Sequence, residues 1–589
     1  MSGNRMRFLA QLVSGDPAHK RAVRRNAALA ALLAPALCLA LWFGAGQPAQ
    51  AKPPVDKLDL FLRAESSRPA AQSRESVIVR LDGDLTPERE AQLRSLGAQI
   101  SQRLPIIHSV ALRLPARCLA RLAALPFVAH VSADVTVHKN DEFTVASSEA
   151  NIAYSQYNLT GYGVTVAVVD SGLYPNLDLN DSVTGKSRIL ANVNFVPNTT
   201  SYYDACGHGT HVTGIIAGDG AGSSGSNYFH TFYGIARRAN IVNVRVLDGS
   251  GQASVSTVVS GIQWVVNNKS KYNIRVLNLS AGHGVGDYYA NDPLCQAVEA
   301  AWKAGIFVVC AAGNTGRLNS SQTSGQPNEG WGTAYGSIQS PGNDPYVITV
   351  GATKNYDGNR ADDRIATYSS RGPTRLDFIL KPDIVAPGNK VISLNASAGD
   401  FLATNYPGND IPWQSYCYAN KTGESTRYFS LSGTSMAAPV VAGAAALLLQ
   451  ANSSLTPDVL KARLMFSADK WGFPNGTADA CTFGAGYLNI PAALNCAVTP
   501  TMYAQSPSLS EDNSGNVNIN INTALWGTNA LWGTGITNLN LLWGLNALWG
   551  TNTLASSNAL WGTSVWTNNA IWGESAGAAD LSPTAINGE

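Results

Sequence analysis

One stretch of this chain places a reactive residue at the start of a long apolar segment. Residues 433–439 read Gly-Thr-Ser-Met-Ala-Ala-Pro, and residues 440–449 form an uncharged apolar run. The run predicts a buried helix whose small residues let neighbouring elements approach closely. Ser435 then lies at the positive end of that helix, where unpaired N–H groups favour developing negative charge. An isolated serine in this position is ordinarily a helix cap, so chemistry requires a base, an acid and an oxyanion donor elsewhere.

Apolar, strand-like runs alternate with helical stretches between residue 164 and about residue 495. Continuous β-branched runs separated by helices predict a mainly parallel sheet that helices cover on both faces. In such a sheet, reactive side chains gather at the carboxyl ends of the strands. The runs are 164–169, 241–247, 276–279, 306–309 and 347–350.

Three polar residues follow strands or stand between glycines. Asp170 ends the first run, His208 begins the segment His-Gly-Thr-His after Gly207, and Asn314 follows Ala-Ala-Gly. Taken singly, each has an ordinary interpretation: a turn or capping aspartate, a core histidine and a turn asparagine. His208 and His211 could also suggest a metal pair, but the sequence offers no third ligand at a suitable spacing.

Together with Ser435, these residues supply each group that acyl transfer by a hydroxyl requires. The hydroxyl needs a base, the base needs a carboxylate that fixes its tautomer, and the oxyanion needs a donor. The order Asp, His, Ser along the chain is also one of the known orders of a catalytic triad. The combination predicts a serine-dependent hydrolase.

The segments around these residues resemble the three signatures of the subtilisin-like serine proteases, or subtilases. The segments are residues 168–172, 208–211 and 433–439. Residues 368–373 and 381–388 resemble later structural segments of the same family, and the match covers about residues 145–495. The resemblance implies a subtilisin-like three-layer α/β fold with a mainly parallel central sheet, and a serine endopeptidase activity.

The resemblance implies a role for each candidate residue. Ser435 would attack the peptide carbonyl, His208 would act as the base, and Asp170 would orient His208. The Asn314 side chain and the Ser435 backbone N–H would hold the oxyanion. His211 matches a structural position of the family and receives no catalytic role.

Substrate-binding residues follow from the same resemblance. Ser280, Ala281 and Gly282 resemble the family's substrate-binding strand, and with Ala312 and Gly313 they would line the S1 pocket. Small side chains leave room for a large residue, and no carboxylate is evident at the pocket base. We therefore expect broad specificity with an apolar preference at P1, and protein or peptide substrates.

Metal and cysteine chemistry is only weakly indicated. We expect no cofactor for catalysis, while structural calcium is common in the family, and Asp178 and Asp181 lie in a suitable region without a complete ligand set. Seven cysteines follow the predicted export signal, and Cys481 with Cys496 is the first pair to consider for a disulfide. Cys310 lies in an apolar run and is expected to be a buried thiol.

The amino terminus predicts export. Residues 1–26 carry several basic residues, residues 27–46 are uncharged, and small residues at 49–51 suit a cleavage site, so residues 1–51 resemble a signal peptide. An uncleaved membrane anchor is the alternative, because the apolar run is long enough to span. We expect a secreted or envelope-associated protein. The formal net charge of +1 gives no reason to expect nucleic-acid binding.

A small module precedes the catalytic region. Residues 52–75 read as a linker, and residues 76–137 predict the strand-helix order of a ferredoxin-like module. Its order and position resemble the family's inhibitory propeptide, so the chain's own propeptide would be an intramolecular inhibitor. Residues 138–147 would form the processing joint, and residues 148–497 the peptidase domain.

The carboxyl-terminal region, residues 498–589, is a low-complexity tail with Leu-Trp-Gly repeats. From residue 513 to residue 573 it holds no charged residue but seven tryptophans. The short repeats suit either a low-complexity extended segment or a stacked solenoid, and two interpretations of the tail's role remain open. The tail is either an extended segment that is trimmed or disordered, or an adhesive one that holds the enzyme to a cell surface or polymer.

Two other functional classes compete with the protease. A non-enzymatic binding protein with a degenerate protease fold would not need intact Asp170, His208, Asn314 and Ser435. An α/β-hydrolase esterase would need Gly-x-Ser-x-Gly, and Ala437 breaks that pattern. The sequence therefore predicts a secreted, self-processing serine endopeptidase zymogen.

Overall fold

The computed structural model describes the catalytic region, the module before it and a short part of the tail. The described residues are 57–59, 62, 74–134, 136–139, 147–354, 360, 363–397, 399–418, 424–470, 479–511 and 517–520. The predicted signal peptide, most of the predicted processing joint and the tryptophan repeats lie outside these ranges.

Strands are numbered here in chain order. They are β1 (Arg74–Leu81), β2 (Gln99–Leu104), β3 (Ser109–Pro115), β4 (Val128–Ala133), β5 (Thr136–Lys139), β6 (Thr165–Asp170), β7 (Ile189–Asn194), β8 (Asn240–Arg245), β9 (Gln252–Ser254), β10 (Ile274–Leu279), β11 (Ala281–Gly282), β12 (Phe307–Ala311), β13 (Ile348–Lys354), β14 (Arg364–Ile365), β15 (Ile384–Pro387), β16 (Val391–Leu394), β17 (Asp410–Pro412), β18 (Glu424–Leu431), β19 (Ser508–Glu511) and β20 (Val517–Asn520).

The helices are numbered in the same way. They are α1 (Pro87–Ser95), α2 (Leu119–Ala123), α3 (Ala150–Tyr157), α4 (His208–Ala217), α5 (Val255–Tyr272), α6 (Pro293–Lys303), α7 (Phe401–Asn405), α8 (Thr434–Ala451), α9 (Pro457–Ser467), α10 (Ala480–Phe483) and α11 (Ile490–Asn495).

A mainly parallel sheet organises the catalytic region. Its strand order is β14-β13-β12-β10-β6-β8-β7, with β15 also paired to β13, and β14 is its antiparallel strand. Helices α4 and α8 pack on each other, as do α5 and α6, and both pairs contact the sheet. Because helices cover the strands, strands such as β6 and β12 are buried along their whole length and read as continuous apolar runs.

Helix α8 is the buried helix that the opening motif predicts. It is long and apolar enough to cross a membrane, but 89% of its 18-residue window is buried inside the protein, as in the core helix of a soluble domain. Small residues permit this close packing. A Cβ atom at Gly443 would lie 2.5 Å from the Cβ of Ile235, so this helix face accepts only hydrogen at that position.

The module before the catalytic region is a four-stranded antiparallel sheet with two helices. The strand order is β2-β3-β1-β4, and the elements alternate as strand, helix, strand, strand, helix, strand. One face has its own apolar core, whereas Ile78, Leu104 and Ile107 pack into the core of the catalytic region. The module is therefore docked on the catalytic region through buried apolar surface.

Part of the predicted linker, residues 52–75, packs on this module. Leu58 and Leu62 are buried in the module's apolar core, and the first strand already begins at Arg74. Leu58 forms a β-bridge with Val131, and the Leu62 N–H donates to the Asp59 carboxylate at 2.8 Å. The Pro- and Ser-rich composition of the surrounding stretch concealed this short apolar pattern.

Residues beyond the predicted end of the peptidase domain, residue 497, also pack on the catalytic region. Ser506 is buried, and its hydroxyl donates to a carboxylate oxygen of Asp383. Lys461 and Lys381 converge on the same carboxylate, so the buried negative charge of Asp383 is compensated. The start of the predicted tail is thus held to the domain by a polar anchor.

The described cysteines form no disulfide. Cys481 and Cys496, the pair considered first, are both free thiols, so that pairing was wrong. Cys310 lies fully buried in β12 as expected, and burial raises the pKa of its thiol.

Candidate active site

Asp170 and His208 form a buried pair. Asp170 is the last residue of β6, and His208 is the first residue of α4. The His208 Nδ1 atom lies 2.7 Å from Asp170 Oδ1, and the two side chains are 0% and 1% exposed respectively. A carboxylate at Nδ1 favours the tautomer with a proton on that nitrogen, which leaves Nε2 as the basic atom.

The start of α4 is held by Asp204, a residue that sequence reasoning missed. Its carboxylate accepts from the backbone N–H of Gly207 and Thr210, each at 2.8 Å. It also accepts from the Ser171 hydroxyl at 2.9 Å, and Ser171 in turn accepts from the Gly209 N–H. An aspartate shortly before a helix is a capping signal, which could have identified it.

Ser435 lies in the first turn of α8 and is tied to the end of β10. Its hydroxyl donates to the carbonyl oxygen of Ser280 at 3.2 Å, and the Ser280 hydroxyl donates back to the Ser435 carbonyl at 2.9 Å. The Asn278 amide donates to the Ser280 hydroxyl at 2.9 Å. These reciprocal contacts fix the reactive helix start against the predicted substrate strand.

Asn314 is joined to the residue before Ser435. Its side-chain oxygen accepts from the Thr434 N–H at 3.0 Å and from the Thr434 hydroxyl at 3.1 Å. The Thr434 hydroxyl also accepts from the Gly313 N–H at 3.0 Å. The oxygen end of the amide is thereby anchored beside Ser435, so its Nδ2 end is the end suited to meet an oxyanion.

The predicted residues therefore meet as two linked pairs at the carboxyl edge of the sheet. Asp170 contacts His208 directly, and Asn314 contacts Thr434, the neighbour of Ser435. Strands β6 and β10 are neighbours with Val169 opposite Leu279, so Asp170 and Ser280, the contacts of His208 and Ser435, lie at adjacent strand ends. This arrangement combines a base, an orienting acid, a hydroxyl and an amide donor.

Comparisons with known proteins decide the family. Residues 161–487, more than half of the 589 residues, match the Subtilase family, Peptidase S8. The chain is a subtilase.

Named relatives agree with this assignment. Serine protease AprX of Bacillus subtilis is 39% identical over 59% of this chain and 70% of its own length. Subtilisin E of the same species is 29% identical over 67% of this chain and 83% of its own length. This subtilase is thus a serine endopeptidase by family.

A solved structure supports the fold. Fervidolysin from Fervidobacterium pennivorans, a keratinolytic enzyme related to subtilisin, aligns with a TM-score of 0.53 at 20% identity. The alignment covers 77% of this chain and 68% of fervidolysin. The subtilase therefore has the subtilisin-like α/β fold with a mainly parallel central sheet, as the motifs implied.

The predicted substrate strand of this subtilase is already paired with backbone from the preceding module. Strand β5 lies between β9 and β11 in a three-stranded antiparallel sheet. Lys139 pairs with Ala281, and His138 pairs with Gly282 on one side and Gln252 on the other. An extended peptide added between two strands is the backbone geometry of peptide recognition by β-strand addition.

The second predicted wall, Ala312 and Gly313, is joined to the first by a segment that sequence reasoning missed. Gln339 donates its N–H to the Ala312 carbonyl at 3.0 Å. The next residue, Ser340, exchanges two backbone hydrogen bonds of 2.9 Å with His283. Residues 339–340 therefore close the space between the two walls of the predicted S1 pocket.

The aspartates considered for calcium accept hydrogen bonds from protein donors. Asp181 accepts from Arg238 at 2.7 Å, and this partner lowers the pKa of the Asp181 carboxyl to about 2. Asp178 accepts from the Gly222 N–H and from the Tyr428 hydroxyl. Protein donors therefore occupy both carboxylates, and the described part of the subtilase contains no cluster of three metal-ligating side chains.

Proposed function

We propose that this subtilase is an exported zymogen that hydrolyses peptide bonds through an acyl-enzyme on Ser435. His208 takes the hydroxyl proton on Nε2 as Oγ attacks the carbonyl carbon, and it later gives that proton to the leaving amine. Asp170 fixes the tautomer and stabilises the imidazolium that forms. The supporting observation is the buried Asp170–His208 hydrogen bond of 2.7 Å, which orients the imidazole for this role.

Asn314 and the Ser435 N–H would stabilise the tetrahedral intermediate. Thr434 anchors the oxygen end of the Asn314 amide, so the donor is preorganised before substrate arrives. Donors that need no rearrangement stabilise developing charge best, because their orientation has no further free-energy cost in the transition state.

The preceding module would act as the inhibitory propeptide. Strand β5 occupies the strand-addition site between β9 and β11, where a substrate backbone would bind. Polar contacts support the docking: the Asp134 carboxylate accepts from the Ser256 N–H at 2.9 Å and from its hydroxyl at 2.7 Å. His130 and Asp287 add a buried contact between module and protease. A peptide that fills this site competes directly with substrate.

The enzyme itself would release the propeptide by cutting within the joint at residues 138–147. The last paired backbone position, Lys139, lies opposite Ala281, next to the Ser280 carbonyl that accepts from the Ser435 hydroxyl. The described end of β5 therefore pairs with the segment that contacts the nucleophile. The signal peptide at residues 1–51 would export the zymogen, and the tryptophan-rich tail would attach the product to a cell surface or polymer.

The Ser435→Ala variant tests this function. We expect a full-length precursor and no casein hydrolysis, whereas the wild type is cut within the joint, as intact mass measures. Ser453→Ala is the matched control, because Ser453 is an exposed serine beyond the end of α8, and it should mature normally. Maturation of Ser435→Ala at the wild-type rate, in a preparation free of other proteases, would contradict self-processing.

A further inference from the structure

The side chain of Gln339 lies against Gly313, one of the predicted walls of the S1 pocket. The Gln339 Cγ and Cδ atoms are 2.8 Å, and Oε1 is 3.0 Å, from the position that a Cβ atom at Gly313 would occupy. Gly313 has a φ of +102°, a conformation that favours glycine, so a side chain there is doubly excluded. The glutamine amide thus takes the place that a larger wall residue would fill.

The Gln339 oxygen is buried and accepts no hydrogen bond from the described residues. Buried polar side-chain atoms are normally paired, and an exception calls for a specific explanation. The backbone on each side is held by Ala312 and His283, so the side chain starts from a defined position between the two pocket walls. An unpaired amide oxygen at this place is suited to recognise a substrate group.

We propose that Gln339 determines P1 specificity and that the subtilase prefers a P1 side chain that ends in an amide, asparagine or glutamine. This inference rests on the proposed peptidase function. A primary amide offers both a donor and an acceptor, and Gln339 can match either by rotating its own amide through 180°. The small residues Ala281, Gly282 and Ala312 accommodate the aliphatic stem, and the amide at the pocket base selects its tip.

The amide preference refines the apolar preference that the small wall residues alone suggest. A P1 methionine has the length of glutamine but would leave the Gln339 amide unpaired. Sites that hydrogen-bond a substrate group discriminate against analogues that lack that group, because the buried polar partner then remains unsatisfied. A net gain of one neutral hydrogen bond corresponds to about 10-fold in kcat/KM.

The chain's own sequence offers a first substrate for this preference. The propeptide strand ends with Lys139, and the next residue in the sequence is Asn140. We therefore predict that the maturation cut follows Asn140 and leaves Asp141 as the new amino terminus.

The test uses the full chain after maturation and peptides that differ only at P1. For the wild type, we expect kcat/KM for P1 glutamine to exceed that for P1 methionine by about 10-fold. Gln339→Met should abolish this ratio while it retains hydrolysis of the methionine peptide. Gln339→Glu should create activity on P1 lysine of at least about 10-fold over the wild type, because a carboxylate pairs with the ammonium group.

The matched control is Gln322→Met, since Gln322 is an exposed glutamine outside the pocket. It should leave the P1 profile unchanged. A wild-type preference for methionine, leucine or phenylalanine over both amides would overturn the proposal, and this measurement needs no variant. A uniform loss on all peptides in both Gln339 variants would show a structural role only. Failure of the proposed function is distinct, since the wild type would then hydrolyse none of the peptides.

Discussion

Asp170 orients the imidazole of His208: its carboxylate oxygen lies 2.7 Å from Nδ1, and both side chains are buried. Asp170→Asn preserves the shape of the site but removes the negative charge and places an amide at Nδ1. We expect kcat to fall by about 10⁴-fold, because the imidazole is then held in the wrong tautomer. Steady-state kinetics on a peptide substrate measure the loss, and circular dichroism should show an unchanged fold.

A matched substitution separates this effect from general electrostatics. Glu299→Gln removes a carboxylate that pairs with Lys303 at the surface of the peptidase domain, and it should leave kcat of the mature enzyme unchanged. Equal activity of Asp170→Asn and wild type would remove Asp170 from the mechanism.

Asn314→Leu should lower kcat by about 10²–10³-fold with little change in KM, a magnitude known from the oxyanion asparagine of subtilisin itself. The donor acts on the tetrahedral intermediate more than on the bound substrate, so the effect belongs in kcat. Thr434→Val tests the anchor, because it removes the hydroxyl that donates to Asn314 but keeps the Thr434 N–H. We expect a smaller loss for Thr434→Val, about 10-fold, and equal losses would assign the effect to packing instead.

Gly209 is required because α4 approaches the Asp170 loop very closely. A Cβ atom at Gly209 would lie 2.3 Å from the Gly172 carbonyl oxygen and 3.2 Å from the Asp170 Cβ. Gly209→Ala should therefore displace the start of α4, lower kcat and destabilise the protein by about 1–3 kcal/mol. Gly408→Ala is the control, since no atom lies within 4 Å of its Cβ position. Thermal unfolding and kinetics of both variants decide the matter.

The sequence predicted those features of the protein that a few neighbouring residues specify. Asp170, His208, Asn314 and Ser435 carry local signals, because each stands at a strand end or a helix start within a distinctive motif. The rule that parallel strands end at one edge then explains why such residues meet. Fold and family followed from the same local patterns.

Residues whose roles depend on tertiary pairing could not be predicted in this way. Gln339 lies beside Gly313 because its N–H donates to Ala312 and Ser340 pairs with His283, more than fifty residues earlier in the chain. Leu58 and Leu62 look like linker residues until the module's sheet provides a surface for them. Ser506 similarly acquires its place from the Asp383 carboxylate, so composition alone put the domain boundary too early.

The propeptide should be held more weakly at alkaline than at acidic pH because of Asp59. Burial raises the pKa of this carboxyl from 3.8 to about 7, although its oxygens accept from the N–H groups of Leu62 and Ala133. Asp287 of the protease lies near enough to raise the pKa further, while His130 opposes this effect. A raised folded-state pKa means that the protonated form stabilises the docked module. That contribution is full below pH 3.8 and is lost as the pH rises through about 7.

The Ser435→Ala precursor allows this to be measured without self-cleavage. Its unfolding free energy, followed by denaturant titration, should fall by on the order of 2–4 kcal/mol between pH 5 and pH 9. Asp59→Asn in the same background should flatten this dependence, since a neutral amide keeps the size of the group and cannot ionise. Asp84→Asn should leave the slope intact. Identical pH profiles with and without Asp59→Asn would mean that this carboxyl does not control how firmly the propeptide is held.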